Sequence, residues 1–315
     1  MGAARVTFLL PAAERFGAQR LDDAGARALG RADRLPAGEA GYRAQLLRHF
    51  ELLPRRWPIA ALSRQMDAGD AAGSAWLRAD PAYVRPDING ARLLACGEAL
   101  TLGDADVAAL LPPLKPLFGD AGFPIDAPVP TRWYLRLPPQ ADLPEFTAPS
   151  EALGADLFEH LAEGSRGRRW RALLNEAQIV LHNHPWNARR IEHGLAPVNS
   201  LWFWGAGLLP DHVRSGFAAV SGDDESLRAL AAAAGLRVQP PEARFAAPDV
   251  DTLIDLRPLR DLKLFAQAWL APALEAVQAG HLASLRLDLE DGDAFRIARG
   301  QRWRVWRRPQ AALAR

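Results

Sequence analysis

The pattern of apolar and polar positions along the chain predicts strands that alternate with helices. Residues 6–10 form an unbroken apolar run, which is typical of a buried strand. Leucine and phenylalanine recur with helical spacing at 42–53, and residues 168–181 have the pattern of an amphipathic helix. The other elements predicted before residue 150 are strands at 75–78, 91–96 and 132–137 and a helix at 104–118.

From residue 199 the order becomes strand, strand, helix, strand, strand, helix, strand, strand. The predicted elements are strands 199–204, 216–221, 236–238 and 252–256, helices 223–234 and 262–279, and a closing hairpin of 285–289 with 295–306. Such alternation favours a mostly parallel sheet flanked by helices, with an antiparallel hairpin at its C-terminal edge. We therefore expect a doubly wound α/β fold.

Two stretches lack a periodic pattern. Residues 17–41 are polar and rich in glycine and alanine, and they predict a loop with short helical turns. Residues 138–149 contain four prolines and form the best linker candidate. We expect residues 1–315 to form a single compact unit, with any subdivision near 138–149.

Composition narrows the protein class. The hydrophobic content of 49% is ample for a core, and the net charge of +1 gives no general attraction to nucleic acid or acidic membranes. All but two of the 38 basic residues are arginine, a bias that fits GC-rich coding, so arginine abundance is not evidence of phosphate binding. The apolar run at 6–13 is too short for a signal peptide, and no stretch reaches about 20 apolar residues. We expect a soluble cytoplasmic protein that does not enter membranes.

Polar residues concentrate between positions 175 and 207. Asn175 and His182 lie seven residues apart, on one face of the predicted helix. The candidate ligand-binding residues are Asn175, His182, His184, Asn187 and Arg190, followed by Asn199, Ser200, Trp202, Gly205 and Gly207, with Asp80 and Arg85 from an earlier loop. We expect them to face one cleft beyond the carboxyl end of strand 199–204, where open α/β sheets bind ligands. The alternative is that they cap helices and bind loop carbonyls.

Other signals for chemistry are weak. His182 and His184 form half of a metal site but have no third ligand at a fixed spacing, so neither a metal nor another cofactor is expected. The sequence has no nucleophile elbow and no Walker-type loop, and Cys96 stands in an apolar strand without a basic neighbour. Residues 296–308 carry six arginines between aromatic residues and no acidic residue. Such a segment can bind single-stranded nucleic acid, but a charged edge strand explains it more simply.

Several strings resemble the RpfE-type regulatory proteins of bacteria. They are Ala79-Asp80-Pro81, Arg132-Trp133-Tyr134-Leu135, Leu173-Leu174-Asn175-Glu176, Leu181-His182-x-His184-Pro185-x-Asn187, Pro197-Val198-Asn199-Ser200-Leu201-Trp202-Phe203-Trp204-Gly205-x-Gly207 and Trp303-Arg304-Val305-Trp306-Arg307-Arg308. The resemblance covers nearly all of the chain after about residue 40. It implies a regulatory role without naming a reaction.

Residues 199–235 are also similar to archaeal-type, cofactor-independent phosphoglycerate mutases. That resemblance implies the doubly wound fold of the alkaline phosphatase superfamily and two catalytic metals. The enzymes open with Asp-Gly after the first strand, where this chain has Pro11-Ala12-Ala13. They carry an Asp and a His after a later strand, where residues 255–261 contain Arg257 and Arg260 and no histidine. A degenerate, metal-free relative is therefore expected.

The sequence leads to one functional hypothesis and two rivals. The leading hypothesis is a regulatory or small-ligand-binding protein without catalysis, which binds a small phosphorylated or carboxylated ligand or a protein partner. The first rival is an active, metal-independent mutase-like phosphotransferase or hydrolase that uses His182 or His184 as acid or base. The second is a nucleic-acid-binding regulator acting through the arginine- and tryptophan-rich C-terminus, which the net charge disfavours.

Overall fold

A computed structural model gives the structure of the protein and describes residues 3–87 and 90–313. The chain divides into two compact units. The first unit comprises Met1–Arg55 and Asp211–Arg315, and the second comprises Arg56–Pro210. Two units thus replace the expected single one, and the proline-rich stretch 138–149 lies inside the second unit. The chain leaves the first unit and later returns to it, so the first unit is built from segments far apart in sequence.

The described residues form fourteen strands, which are distributed over both units. In chain order they are β1 (Ala4–Leu10), β2 (Asp33–Arg34), β3 (Phe50–Leu53), β4 (Ala75–Asp87), β5 (Gly90–Cys96), β6 (Ile125–Val129), β7 (Arg132–Leu137), β8 (Ser200–Leu208), β9 (His212–Ser215), β10 (Ala219–Ser221), β11 (Arg237–Gln239), β12 (Thr252–Asp255), β13 (Leu282–Leu289) and β14 (Ala294–Ile297).

The helices are mostly short. In chain order they are α1 (Asp23–Arg31), α2 (Tyr42–Leu47), α3 (Ile59–Ala68), α4 (Asp104–Leu110), α5 (Leu114–Asp120), α6 (Pro149–Ala152), α7 (Gly164–His182), α8 (Trp186–Glu192), α9 (Glu225–Ala233), α10 (Leu262–Leu264) and α11 (Ala271–Ala279). A π-helical turn, Phe265–Leu270, joins α10 to α11, and short 3₁₀ turns occur at Ala13–Phe16, Gly97–Leu100, Leu157–His160 and Arg299–Trp303. No helix of the described residues is both long and apolar enough to cross a lipid bilayer.

The main sheet of the first unit has the strand order β11-β10-β12-β1-β13-β14-β2. Strands β11, β10, β12, β1 and β13 run parallel. β14 pairs antiparallel with β13, and the short edge strand β2 pairs antiparallel with β14. This is the mixed α/β fold with a mostly parallel sheet, flanking helices and an antiparallel C-terminal hairpin that the sequence predicts.

The two faces of the main sheet differ in chemistry. Val6, Phe8 and Leu10 of β1 bury their side chains with Leu285 and Leu287 of β13, in a core shared with α1 and α11. Because side chains alternate along a strand, the residues between them face the other side of the sheet. On that side β1 presents Arg5 and Thr7, and β13 presents Ser284, Arg286 and Asp288. A polar row therefore runs across a sheet whose other face is apolar.

The second unit contains an antiparallel sheet. Its strand order is β5-β4-β7-β6, and β8 pairs with β4. Trp133, Phe118 and Phe203 pack in the core of this unit, and the ring of Trp170 stacks on that of Phe123 at 5.0 Å between centroids. The sequence predicts strand 199–204 as part of the parallel sheet, but β8 belongs to this antiparallel one. Its burial follows from packing between β4 and helices, not from a parallel neighbour.

Three local predictions were wrong in detail. The helix expected at 42–53 ends at Leu47, because residues 50–53 form β3 and pair with β9. The loop expected at 17–41 contains α1, whose N-cap Asp22 accepts a hydrogen bond from Gly25 N. The closing strand ends at Ile297, and residues 299–303 form a 3₁₀ turn.

The predicted limits of the long helix near the C-terminus are confirmed, and one proline explains the π-helical turn within it. Its segments together cover 262–279, and Gly280 ends it with a φ of 84°. Pro272 lies in the first turn of α11 and has no N–H to donate, so the π-helical turn before it accommodates the missing hydrogen bond.

Candidate functional site

Asp80 lies inside the second unit, on β4. The carboxylate accepts hydrogen bonds from Arg78 Nε at 2.9 Å and from the indole Nε1 of Trp204 at 2.7 Å. The Arg78 guanidinium also lies 5.1 Å from the centre of the Trp204 ring. Asp80 is only 2% exposed. Asp80 was expected in a loop after a strand, but β4 continues through Pro81 and beyond. The Asp80 carboxylate is therefore part of a buried ion pair with Arg78.

Asparagine side chains of the predicted cluster bind backbone groups. Asn187 donates to the carbonyls of Leu181 and Val198 at 2.8 and 2.9 Å and accepts from Val198 N at 2.8 Å. Asn199 pairs in the same two-way manner with the backbone of Val84. Both amides thus extend the backbone pairing of the second unit, which is the alternative that the sequence left open.

Arg190 and Ser200 also have partners within the second unit. The Arg190 guanidinium donates to Asp106 at 2.7 Å and to the carbonyl of Leu100 at 2.6 Å. Burial alone would raise the pKa of Asp106, but hydrogen bonds from Gly103 N, Trp186 and Arg190 hold it below its ordinary value. Ser200 accepts a hydrogen bond from Gln178 at 2.9 Å. These contacts connect α8 to α4 and α7 to β8.

Gly205 and Gly207 lie within β8 rather than after its end. Gly205 has a φ of 69°, and a Cβ on Gly207 would lie 2.6 Å from the Cβ of Pro58. Close approach of the chain around Pro58 and α3 therefore explains both glycines. The expected cleft at the carboxyl end of a parallel strand is wrong for this segment, since β8 is antiparallel to β4.

The remaining predicted residues lie apart from these contacts. Asn175, His182 and Arg85 are exposed. His184 accepts a hydrogen bond from Trp186 N at 3.2 Å through Nδ1, and the indole of Trp202 donates to the carbonyl of Thr147. Ligand binding by this set of residues stays a prediction.

A different polar cluster occupies the carboxyl edge of the main sheet in the first unit. Arg257 follows β12 and donates to both carboxylate oxygens of Asp255, from Nε at 2.8 Å and from Nη2 at 2.7 Å. The same Nη2 lies 3.2 Å from Asp224, the N-cap of α9. Arg257 is 7% exposed and Asp255 is 8% exposed. One guanidinium thus bridges two carboxylates at the carboxyl ends of neighbouring parallel strands.

Tyr42 of α2 completes this cluster. Its hydroxyl donates to Asp224 at 2.8 Å, and the Arg257 guanidinium lies 4.7 Å from the centre of the Tyr42 ring. Burial raises the pKa of Tyr42 well above its ordinary value. Burial alone would lower the pKa of Arg257, but the charges of Asp224 and Asp255 outweigh it and raise that pKa. Both groups therefore stay protonated at neutral pH.

Helix α2 also covers the ends of β1 and β13. Gln45 is fully buried and donates to the carbonyls of Leu10 and Asp288, at 3.0 and 2.8 Å. Among residues 3–87 and 90–313, no group of three His, Cys, Asp or Glu side chains is placed to share a metal ion. The donor set at this edge does not fit two metal ions, because its carboxylates already hold Arg257.

Asp288 forms a second buried cluster, near the carboxyl end of β13 on the polar face. Its fully buried carboxylate accepts hydrogen bonds from Arg48, His49 and Arg286, at 2.6, 3.0 and 2.6 Å. Burial alone would raise the pKa of Asp288, but these hydrogen bonds hold it below its ordinary value. Burial lowers the pKa of His49, against the opposing effect of Asp288. A neutral imidazole therefore lies between two arginines.

Sequence reasoning missed these clusters of the first unit. Arg257 enters there only as a departure from a metal-binding pattern, residues 6–10 as a buried strand and residues 285–289 as part of the closing hairpin. One signal was available. Strands buried on both faces of a parallel sheet are normally apolar throughout, so Thr7, Ser284, Arg286 and Asp288 mark an unusual face.

Comparison with known proteins gives partial matches. No family model matches the chain. The chain is 44% identical over 62 residues to a probable 2,3-bisphosphoglycerate-independent phosphoglycerate mutase of Geobacter sulfurreducens, which covers 20% of this chain and 16% of the relative. It is 42% identical over 66 residues to the corresponding mutase of Methanosarcina barkeri, covering 21% and 17%. The matched stretch thus spans about a sixth of the length of these curated relatives.

Two solved structures are also similar. A cofactor-independent phosphoglycerate mutase from Thermoplasma acidophilum aligns over 94% of this chain and 89% of its own, with 16% identity and a TM-score of 0.42. A Pyrococcus horikoshii protein aligns over 95% and 88%, with 13% identity and a TM-score of 0.48. Over about a fifth of its length, the sequence of this chain is thus similar to those of cofactor-independent phosphoglycerate mutases.

Proposed function

We propose that this chain is a regulatory or small-ligand-binding protein, a catalytically degenerate relative of the cofactor-independent phosphoglycerate mutases of the alkaline phosphatase superfamily. Within that group we assign it to the RpfE-type regulatory proteins, on the strings quoted above. The observation that best supports this proposal is the pair of salt bridges from Arg257 to Asp255 and Asp224.

The positive charge of Arg257 occupies the carboxylates that metal-dependent catalysis would need. Carboxylates at the carboxyl edge of a parallel sheet are suited to hold divalent cations for phosphoryl transfer. Here Asp255 gives both of its oxygens to a guanidinium that is itself 7% exposed, so a fixed organic cation neutralises it. Expelling Arg257 would leave a buried charge without a partner, which is strongly unfavourable. A metal therefore competes poorly for these oxygens.

The enclosure of the edge supports the same function. Gln45 ties the ends of β1 and β13 together, and Tyr42 covers Asp224. Substrate phosphate would have to displace these contacts to reach the strand ends. The enzyme rival gains no support, because His182 is exposed and neither His182 nor His184 hydrogen-bonds a carboxylate among the described residues.

The test measures metal content and activity on the full chain. We expect elemental analysis to find no stoichiometric manganese, zinc or magnesium after purification with each metal present. We expect no interconversion of 3-phosphoglycerate and 2-phosphoglycerate above the rate without protein. Two metal equivalents per chain, lost in Asp255→Asn and accompanied by metal-dependent isomerisation, would overturn the proposal.

A further inference from the structure

A cleft of about 350 Å³ lies in the first unit, on the polar face of the main sheet. Its floor is formed by Thr7 of β1 and by Ser284 and Arg286 of β13, and Arg296 of β14 and the rings of His49 and Phe217 line it as well. We call it the sheet-face cleft. Pockets for small molecules have volumes of roughly 300–1,000 Å³, so this cleft has room for a small ligand.

Two hydroxyls that line the cleft make no hydrogen bond to the protein. Thr7 is 4% exposed and Ser284 is 9% exposed, and both line the open space. Neither side chain makes a hydrogen bond to another described residue. A hydroxyl that faces open space can donate a hydrogen bond to a group that binds there. A bound group that accepts hydrogen bonds would satisfy both.

Two arginines of the cleft also have unused donors. Nη2 of Arg286 is bound to Asp288, but its Nε is buried without a hydrogen-bond partner. Arg296 makes no hydrogen bond or ion pair with another described residue. Asp33 lies opposite Arg296 on β2, but its carboxylate is already engaged by Arg304 and Gln301. Arg296 therefore has guanidinium donors without a hydrogen-bond partner, although its charge also acts on Asp33.

The charges of the cleft do not balance. Four guanidinium groups line it, those of Arg5, Arg48, Arg286 and Arg296. They are matched by two carboxylates, since Arg5 pairs with Asp251, and Arg48 and Arg286 share Asp288. The cleft therefore has two positive charges in excess. A dianion of small size would neutralise it.

We propose that the sheet-face cleft binds the phosphate group of a small phosphorylated molecule. A phosphate monoester presents three oxygens on a tetrahedral centre and carries nearly two negative charges at neutral pH. Donors line the cleft from separate strands: the Thr7 and Ser284 hydroxyls and the Arg286 and Arg296 guanidinium groups. This arrangement suits an oxyanion with several acceptor oxygens better than a planar carboxylate. The proposal goes beyond the proposed function, which leaves the ligand site open.

The test measures binding of phosphate to the full chain by isothermal titration calorimetry, with a chelator present to remove metals. Inorganic phosphate and glycerol 3-phosphate serve as separate probes. We expect one saturable site per chain for at least one of them. Tighter binding of glycerol 3-phosphate would assign the site to phosphate esters, and equal binding would assign it to the free ion. No saturable binding of either probe up to about 10 mM would overturn the proposal.

Variants locate the site. Arg296→Gln removes an exposed charge that makes no hydrogen bond or ion pair to the protein, and we expect it to weaken binding about tenfold or more. Thr7→Val keeps the shape of the side chain but loses the hydroxyl, and we expect a loss of several-fold. Arg228→Gln, on the exposed side of α9, is the matched control and should bind as the unmodified chain does. Thermal melting of each variant checks that it folds.

The outcomes separate this proposal from the proposed function. Binding that is unchanged in both Arg296→Gln and Thr7→Val would overturn the cleft assignment and leave the degenerate function intact. Metal-dependent isomerisation would overturn the proposed function, and metal-free phosphate binding lost in Arg296→Gln would still support the cleft.

Discussion

Arg286 and Arg296 lie directly opposite each other on the antiparallel strands β13 and β14, and only Arg286 reaches a carboxylate. Like charges in directly opposed positions destabilise a sheet. The partner of Arg286, Asp288, is shared with Arg48 and His49, so it leaves the repulsion incompletely compensated. An anion between the two arginines would turn this repulsion into attraction, which is the electrostatic basis of the proposed phosphate site.

Asn187→Ala should destabilise the second unit. The side chain is 6% exposed and makes three hydrogen bonds to backbone groups of Leu181 and Val198. Its removal leaves the N–H and the carbonyl of Val198 without this partner in the interior, whereas the Leu181 carbonyl still accepts a hydrogen bond from His184 N. We therefore expect the free energy of unfolding to fall by about 2–4 kcal/mol. Urea unfolding followed by tryptophan fluorescence measures the change.

Exposed members of the predicted ligand set provide the controls for that measurement. Asn175→Ala removes the same amide from an exposed position without a hydrogen bond, and His182→Ala removes an exposed imidazole. Each should change the free energy of unfolding by less than about 0.5 kcal/mol. Equal stability of Asn187→Ala and Asn175→Ala would contradict a structural role for Asn187.

Stability of the first unit should fall as the pH drops below the ordinary histidine pKa of 6.5. Burial lowers the pKa of His49 in the folded state, so below that pH the unfolded chain takes up a proton that the folded chain does not. The free energy of unfolding is then constant above this range and decreases through it. Protonation of Asp288 decreases the free energy of unfolding further only below the ordinary aspartate pKa of 3.8, because the pKa of Asp288 is lowered in the folded chain.

Thermal melting between about pH 5 and 8 checks this dependence. His49→Gln cannot take up the proton, so its melting temperature should vary less over the acidic part of the range. The matched control is His281→Gln, at an exposed position after α11, which should keep the slope of the unmodified chain. A profile for His49→Gln that runs parallel to the unmodified one would contradict the assignment.

Binding of single-stranded DNA or RNA should be weak at physiological salt. The C-terminal segment exposes Trp303 and Trp306, at 68% and 75%, but its arginines are partly engaged. Arg304 pairs with Asp33, and Arg307 donates to the carbonyl of Ala32. Few charges remain to neutralise phosphates, so we expect a dissociation constant weaker than about 1 µM by fluorescence anisotropy. Tighter binding that is lost on replacing Arg302, Arg304 and Arg307 would instead favour the nucleic-acid rival.

Local sequence pattern determined much of the first unit. Apolar runs located β1 and β12, and helical periodicity with a following glycine located α9 and the helix at 262–279. The alternation of these elements was enough for the mixed α/β fold class. The helix expected at 223–234 begins at Glu225, because Asp224 is its N-cap and accepts the hydrogen bond from Leu227 N. Short polar runs offer several capping residues, and only backbone geometry selects one.

Only the tertiary structure decided the partner of each strand and the location of the polar clusters. The apolar pattern of β8 is the same for a buried parallel or antiparallel strand, and pairing with β4 made it antiparallel. Thr7 and Arg286 are neighbours across β1 and β13 although they stand at opposite ends of the sequence. Local propensity carries no information on such pairings, since they depend on which distant segments bury their apolar faces together. The sequence thus determined the elements and the class of fold, and packing decided which polar side chains meet.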